Sequence, residues 1–256
     1  MKTMKRLRKK LSCLAVFCAC VVAGIAQASV VIERTRVIFP GSEREVSVRL
    51  TNRGNAPAFV QTWLDKGDAE ASPDKIDVPF SLTPTMSRLD PGKGQTLRLI
   101  YTKEPLAQDK ETLFWLNVLE VPPKVKDDSA DAHRLQLAFR TRIKVLFRPD
   151  GLAGEADEAP GRVTWEVIRG TGDHPYALKG TNPTAYFVNL GAVSVKSDGG
   201  RFSAGSGYIA PGNSHVFPIE KLTRQPGANA EVVYTSINDF GAGVEGARPL
   251  ATEILP

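Results

Sequence analysis

Leu135-Gln136-Leu137-Ala138-Phe139-Arg140-Thr141-Arg142-Ile143-Lys144-Val145-Leu146-Phe147 is the stretch on which the reading of this chain turns. Taken at alternate positions, Leu135, Leu137, Phe139, Ile143, Val145 and Phe147 share one face, interrupted only by Thr141. Arg140, Arg142 and Lys144 stand on the other face, with Arg148 continuing the basic row. A period of two marks a β-strand, with one apolar and one basic side. At about 3.3 Å per residue the run spans roughly 40–45 Å, about twice the usual 17–20 Å. A sandwich of about a hundred residues covers such a strand only in part. One reading is a core strand with frayed ends. The other is an edge kept usable for a second chain, since an uncovered apolar edge invites pairing. The basic face and the stop at Pro149 favour the second.

Outward from this strand, short apolar or alternating runs recur between Gly, Pro, Asn and Asp. Val30-Val31-Ile32, Arg36 to Phe39, Val46 to Leu50, Ala58 to Leu64, Leu97 to Tyr101 and Leu113 to Val121 all read as strands. No well-capped amphipathic helix of three turns follows the first 28 residues, so the fold class is all-β, a sandwich architecture. The second half repeats the punctuation of the first. Thr51-Asn52 before Ala58-Phe59-Val60 is echoed by Thr181-Asn182 before Ala185-Tyr186-Phe187-Val188, and Leu89-Asp90-Pro91-Gly92 by Ile209-Ala210-Pro211-Gly212. Two echoes in the same order point to tandem related domains. The polar, Gly- and Pro-rich stretch from Pro149 to Gly161 divides them, giving domains at 29–150 and 151–256.

Residues 1–28 read as a cleaved export leader: a basic start from Lys2 to Lys10, an apolar segment from Leu11 to Ile25, and the small-residue site Ala26-Gln27-Ala28. The apolar segment is shorter than the about 20 residues a transmembrane helix needs, so no stable membrane insertion is expected. The chain holds 33 Lys+Arg against 28 Asp+Glu, but removing the leader and its six basic residues leaves 27 against 28. Global charge therefore makes no case for nucleic acid. Cys13, Cys18 and Cys20 all lie in the leader, so the remainder has no disulfide, thiol nucleophile or thiolate metal site.

Other signals carry less. Gly241-Ala242-Gly243-Val244-Glu245-Gly246 spells a dinucleotide fingerprint, yet Pro249 follows and no helix or second strand has room to form. His133, His174 and His215 are far apart in loop-like contexts, and Ala204 breaks a nucleophile elbow around Ser206. Trp63, Trp115 and Trp165 lie in apolar strands and are expected to pack in cores rather than form a sugar-stacking platform. Two alternatives stay open on the residues alone. An exported carbohydrate-binding pair of modules needs aromatic side chains exposed together, and an exported hydrolase needs clustered His and carboxylates.

Six segments, in order, resemble the periplasmic pilus-assembly chaperones of the PapD type: Arg34 to Phe39, Arg88 to Gly92, Phe114 to Asn117 with Pro122-Pro123, Arg142 to Pro149, Thr181-Asn182-Pro183, and Asn238-Asp239-Phe240-Gly241. The resemblance runs from Ser29 to Gly246. It implies two immunoglobulin-like β-sandwich domains in tandem, angled with a cleft between them, and a periplasmic, non-enzymatic protein without cofactor or metal. By that resemblance the long strand is lent to a pilus subunit whose own sandwich lacks one, a mode of strand addition in which backbone bonds give affinity and alternate side chains give register. Leu135, Leu137 and Phe139 would fill the subunit's groove, contributing about 1.5–3 kcal/mol each before ordering costs. Arg36 and Lys144 would anchor the subunit's C-terminal carboxylate, a fork and a point charge on one anion. Glu111, Arg148 and Asp239 would link the two domains ionically, and Thr83-Pro84 matches a cis position. The implied partners are pilus subunits, including a tip adhesin, an outer-membrane usher, and a second copy that hides the edge when no subunit is present. The chain departs from the pattern at Pro40 and Phe240 and in lacking a cysteine pair in its second domain. The short Pro122–Arg134 connection resembles the subgroup serving rod-like pili.

Overall fold

The computed structural model describes residues 29–121 and 137–255, the last five by backbone alone. The leader, the 122–134 connection and Leu135 lie outside the described residues. The N-terminal sandwich packs a four-stranded sheet on a five-stranded one. The first sheet orders β1 (Val30–Ile32), β3 (Glu45–Asn52), β7 (Gly94–Tyr101) and β5 (Phe80–Thr83). The second orders β2 (Arg36–Pro40), β9 (Phe139–Arg148), β8 (Thr112–Val121), β4 (Ala58–Asp65) and β6 (Met86–Leu89). Alternate residues of each strand turn inward, so Val48 and Leu50, Leu97 and Leu99, Phe114 and Leu116, Val145 and Phe147 are buried. Phe39, Phe80, Tyr101, Phe114 and Phe147 close one end as an aromatic cluster, with centroids as near as 4.9 Å. The Thr83–Pro84 bond is cis.

A single helical turn, α1 (Ala159–Arg162), leads into the C-terminal sandwich. One sheet orders β14 (Ser214–Pro218), β11 (Tyr176–Thr181), β10 (Thr164–Arg169) and β17 (Ala251–Leu255). The other orders β13 (Gly200–Ile209), β12 (Val188–Ser197), β15 (Glu231–Ile237) and β16 (Gly243–Pro249). Trp165 sits in this core, ring to ring with Phe217 and Tyr234 at 6.0 Å. Gly241 and Gly243 belong to the β15–β16 hairpin, and no helix follows them.

The sequence echoes coincide in space within each domain. The fully buried Asn52 amide donates to the Ala56 and Leu89 carbonyls, both at 2.9 Å, while its oxygen accepts from the Gly54 amide. Asn182 donates to Tyr186 and Ile209 at 2.7 and 3.1 Å and accepts from the Thr184 amide. Each asparagine thus ties the end of one strand to the turn that follows the strand ending at Leu89 or Ile209. A buried amide with every group paired is a strong local constraint, and it recurs because the domains are built alike. The turns close through Gly92 and Gly212, at φ 70° and 68°, where a side chain would be strained.

Candidate functional site

The strand singled out first is half core and half open edge. β9 pairs antiparallel with β8 over its length, from Phe139 opposite Glu120 to Phe147 opposite Thr112. On its other side β2 runs parallel to it, but only from Arg36 opposite Lys144 to Pro40 opposite Arg148. Residues 139–143 therefore have no strand on that side among the described residues. Burial follows the same division. Phe147, Val145 and Ile143 face the core, Thr141 is exposed, Phe139 is half-buried, and Leu137 is 47% exposed. The regular strand begins at Phe139, not at Leu135 as the alternation suggests, and Leu137 precedes it without strand pairing. A pleat can be read locally, whereas pairing needs a neighbour, and β8 gives none to Leu137.

Arg36 and Lys144 stand side by side where the open edge ends, because they are register partners of β2 and β9. The Arg36 guanidinium donates from Nη1 to the Ile237 carbonyl at 2.9 Å, and its buried Nε has no partner. Lys144 Nζ donates to Asn189 Oδ1 and lies 4.4 Å from the Tyr208 ring centroid and 5.6 Å from that of Trp115. Among the described residues no carboxylate forms an ion pair with either cation, although Asp239 draws on Arg36 from a distance. Burial, and then the Arg36 charge, push the Lys144 ammonium down to about 8. Burial likewise lowers Arg36. Two desolvated cations without an anion make a site short of one negative charge. Beside them Glu33, Arg34, Thr35, Arg36, Ile38, Asp239 and Phe240 line an open cavity of about 520 Å³, with Phe240 91% exposed.

Glu111, Arg148 and Asp239 meet between the domains. Arg148 donates from Nε to Glu111 at 2.7 Å, and from Nη1 and Nη2 to the two Asp239 oxygens at 2.7 and 3.0 Å. Glu111 also accepts from the Phe187 amide at 2.6 Å and gives its own amide to the Ala185 carbonyl at 2.9 Å. Burial raises the Glu111 carboxyl, against the pull of the Phe187 amide and Arg148. Arg148 is opposed by burial and held charged by Asp239 and Glu111. Close by, Gly241 at φ 85° lies against Thr35, where a Cβ would come within 2.3 Å of the hydroxyl. These contacts join the Arg36 strand to the loop carrying Asp239.

The outer face of the β9 sheet holds what sequence reasoning missed. Trp63 and Trp115 are not core residues. Phe114, Leu116 and Leu64 turn inward, so the tryptophans turn outward under Arg140 and Arg142, at 4.9 and 4.7 Å. With Trp165 in the other core, the three form no shared platform. The basic stripe is thus aromatic-backed, and the buried Asp65 and Asn117 beneath it take hydrogen bonds from Arg142 and Arg140. Alternation around Phe114 and Leu116 could have placed Trp115 outward. No local signal points to Asn189, Tyr208 or Ile237, which reach Arg36 and Lys144 from the second domain. His174 lies against the Ile219 carbonyl and His215 stands opposite Gly180, His133 lies outside the described residues, and no cluster of three His, Cys, Asp or Glu forms among those described.

Comparison with known proteins shows the family. Residues 29–153 match the family model for the pili and flagellar-assembly chaperone, PapD N-terminal domain, and residues 158–248 that for the pili assembly chaperone PapD, C-terminal domain. The chain is 44% identical over 221 residues to the probable fimbrial chaperone YadV of Escherichia coli, covering 86% of this chain and 89% of that protein. It is 41% identical over 244 residues to chaperone protein FimB/FhaD of Bordetella pertussis, covering 93% and 96%. The crystal structure of YadV superposes with a TM-score of 0.74 at 41% identity, over 87% of this chain and 100% of that one. A chain from the complex of the Salmonella enterica SafA pilin with the SafB chaperone superposes with a TM-score of 0.70 at 27% identity, over 89% and 99%.

Proposed function

This chain belongs to the PapD-type family of pilus-assembly chaperones, and on that premise we propose how it captures a pilus subunit. It binds without catalysing, by adding its own strand to an incomplete subunit sandwich. One observation carries the reading: among the described residues, β2 reaches no further than Arg36, which leaves 139–143 open and sets two cations without an anionic partner at the end of the opening. An incoming strand takes the track that β2 vacates, its backbone pairing with β9 and its C-terminal carboxylate meeting Arg36 and Lys144. With the carboxylate at that end, the strand runs parallel to β9, in line with β2. Phe139 and Leu137 enter the subunit's groove, because this chain's own core leaves Leu137 exposed and Phe139 only half-buried; Leu135, outside the described residues, follows them in the alternation. The Arg148 link to Glu111 and Asp239 keeps Ile237 and Asn189 in place around the two cations, and such a group fixes geometry more than it adds stability. The leader directs the protein to the periplasm, where an outer-membrane usher receives the loaded complex.

The test is charge reversal at Arg36. Arg36→Glu places a carboxylate where the subunit's own would sit. Co-purification of a co-expressed subunit should be lost, with the circular dichroism melt of the leaderless chaperone within a few degrees of wild type. Undiminished co-purification would remove Arg36 from the anchor.

A further inference from the structure

The open edge has an unusual problem. Among the described residues, 139–143 have one strand neighbour, and their inward side chains Phe139 and Thr141 are not held by the core. Edges so poorly buried fray, and a frayed edge must be ordered again at each capture. The remaining hold is on the outer face. Arg142 donates to Asp65, whose side chain is 1% exposed. The other Asp65 oxygen accepts from Asn117 Nδ2 at 2.7 Å, and Asn117 Oδ1 accepts from Arg140 Nε and Nη2 at 2.9 and 2.7 Å. The relay Arg142–Asp65–Asn117–Arg140 thus begins and ends on β9 and passes through β4 and β8. Each guanidinium also lies over a tryptophan ring, 4.9 and 4.7 Å from its centroid, which limits its freedom. The hold has an energetic drawback, since Arg142 Nε and Trp63 Nε1 are buried without partners. Fold stability alone would favour apolar side chains at such places.

We propose that Asp65 and Asn117 are positioning residues that stiffen the open edge for capture, acting through Arg140 and Arg142 without touching the subunit. This rests on the capture reading above. The edge backbone is offered to the incoming strand already extended, so less conformational freedom is lost on binding.

The experiment compares wild type, Asn117→Ala and Arg140→Met, all leaderless. Asn117→Ala removes the middle of the relay. Arg140→Met keeps an unbranched stem over Trp63 at an exposed position and so preserves folding. Hydrogen–deuterium exchange reads residues 139–143 against β3 and β7. Titration with a synthetic peptide of alternating apolar residues and a free C-terminal carboxylate reads capture. Both variants should speed exchange at the edge by about tenfold or more with β3 and β7 unchanged, as expected of local opening. Peptide affinity should fall about tenfold. A merely structural role would speed exchange in every strand and leave affinity intact, and that result overturns the proposal. So does lost affinity with an unaltered edge, which would mean direct contact. If wild type ignores the peptide while the variants still loosen the edge, the stiffening stands and the capture reading fails.

Discussion

Replacing Lys144 with methionine separates what this residue does for the fold from what it does for capture. Its ammonium is largely withdrawn from water against Trp115 and Tyr208, with Arg36 as its register partner. Its pKa is pushed down from the ordinary 10.5 to about 8, by burial first and Arg36 second. The folded protein therefore holds this proton less tightly than the unfolded chain does. A charged Lys144 opposes folding in full below about pH 8, and the opposition fades as pH climbs towards 10.5. At about 1.4 kcal/mol per pH unit the opposition is at most about 3.5 kcal/mol. Solvent screening of a partly exposed group lowers that bound. Loss of the Asn189 hydrogen bond and the ring contacts lowers it further, to a net gain of about 1 kcal/mol for Lys144→Met. Melting of the leaderless variant at pH 7 should lie about 2–4 °C above wild type, and the gap should close and then reverse as pH approaches 10.5. Capture should move the other way, weakening at least about tenfold with one charge-assisted bond lost. A variant less stable than wild type at pH 7, or a stability gap that ignores pH, would refute this reasoning. Wild-type capture has its own pH signature. A bound carboxylate restores the Lys144 charge, so affinity should be level below about pH 8 and fall above it.

Two substitutions, one just before β9 and one within it, test where the chain changes owner. Leu137→Asp should alter urea unfolding by no more than about 0.5 kcal/mol yet abolish capture, because the side chain is exposed. Ile143→Ala should lower stability by about 2–5 kcal/mol, because that side chain belongs to the core, and equal stabilities for the two would place the boundary elsewhere. Asp239→Asn removes one carboxylate of the interdomain link. Small-angle scattering should then show a broader spread of domain angles with little change in melting, and an unchanged profile would count against the link as the joint. Asn52→Ala strands the Leu89 and Ala56 carbonyls and the Gly54 amide, so the N-terminal domain should lose about 1–3 kcal/mol or more in urea unfolding.

Only the strand was legible from the residues themselves. The alternation from Phe139 to Phe147 announced it, whereas Arg36, Lys144, Glu111, Arg148 and Asp239 were singled out through the family resemblance of the motifs around them. Asp65 and Asn117 are ordinary polar residues in apolar strands, and nothing near them in sequence says that Arg142 and Arg140 will reach them. Trp63 and Trp115 were misjudged because apolar residues stand close by, Val60 and Leu64 around one and Phe114 and Leu116 around the other. In a pleated strand the next residue always faces the opposite way, so apolar neighbours give no licence to place a tryptophan inside.

The amino-acid sequence alone determined an all-β chain, a duplicated plan with its asparagine corners, and a strand apolar on one face and basic on the other. These follow from periods and turn residues that act over a few positions. Only the tertiary structure decided that β2 halts at Arg36, so that the same apolar face is core at Val145 and open at Phe139. It also decided that Asn189, Tyr208 and Ile237 close around the two cations from the second domain. The reason is physical: side-chain direction is a property of one strand, whereas which backbone is left unpaired depends on partners more than a hundred residues away in the chain.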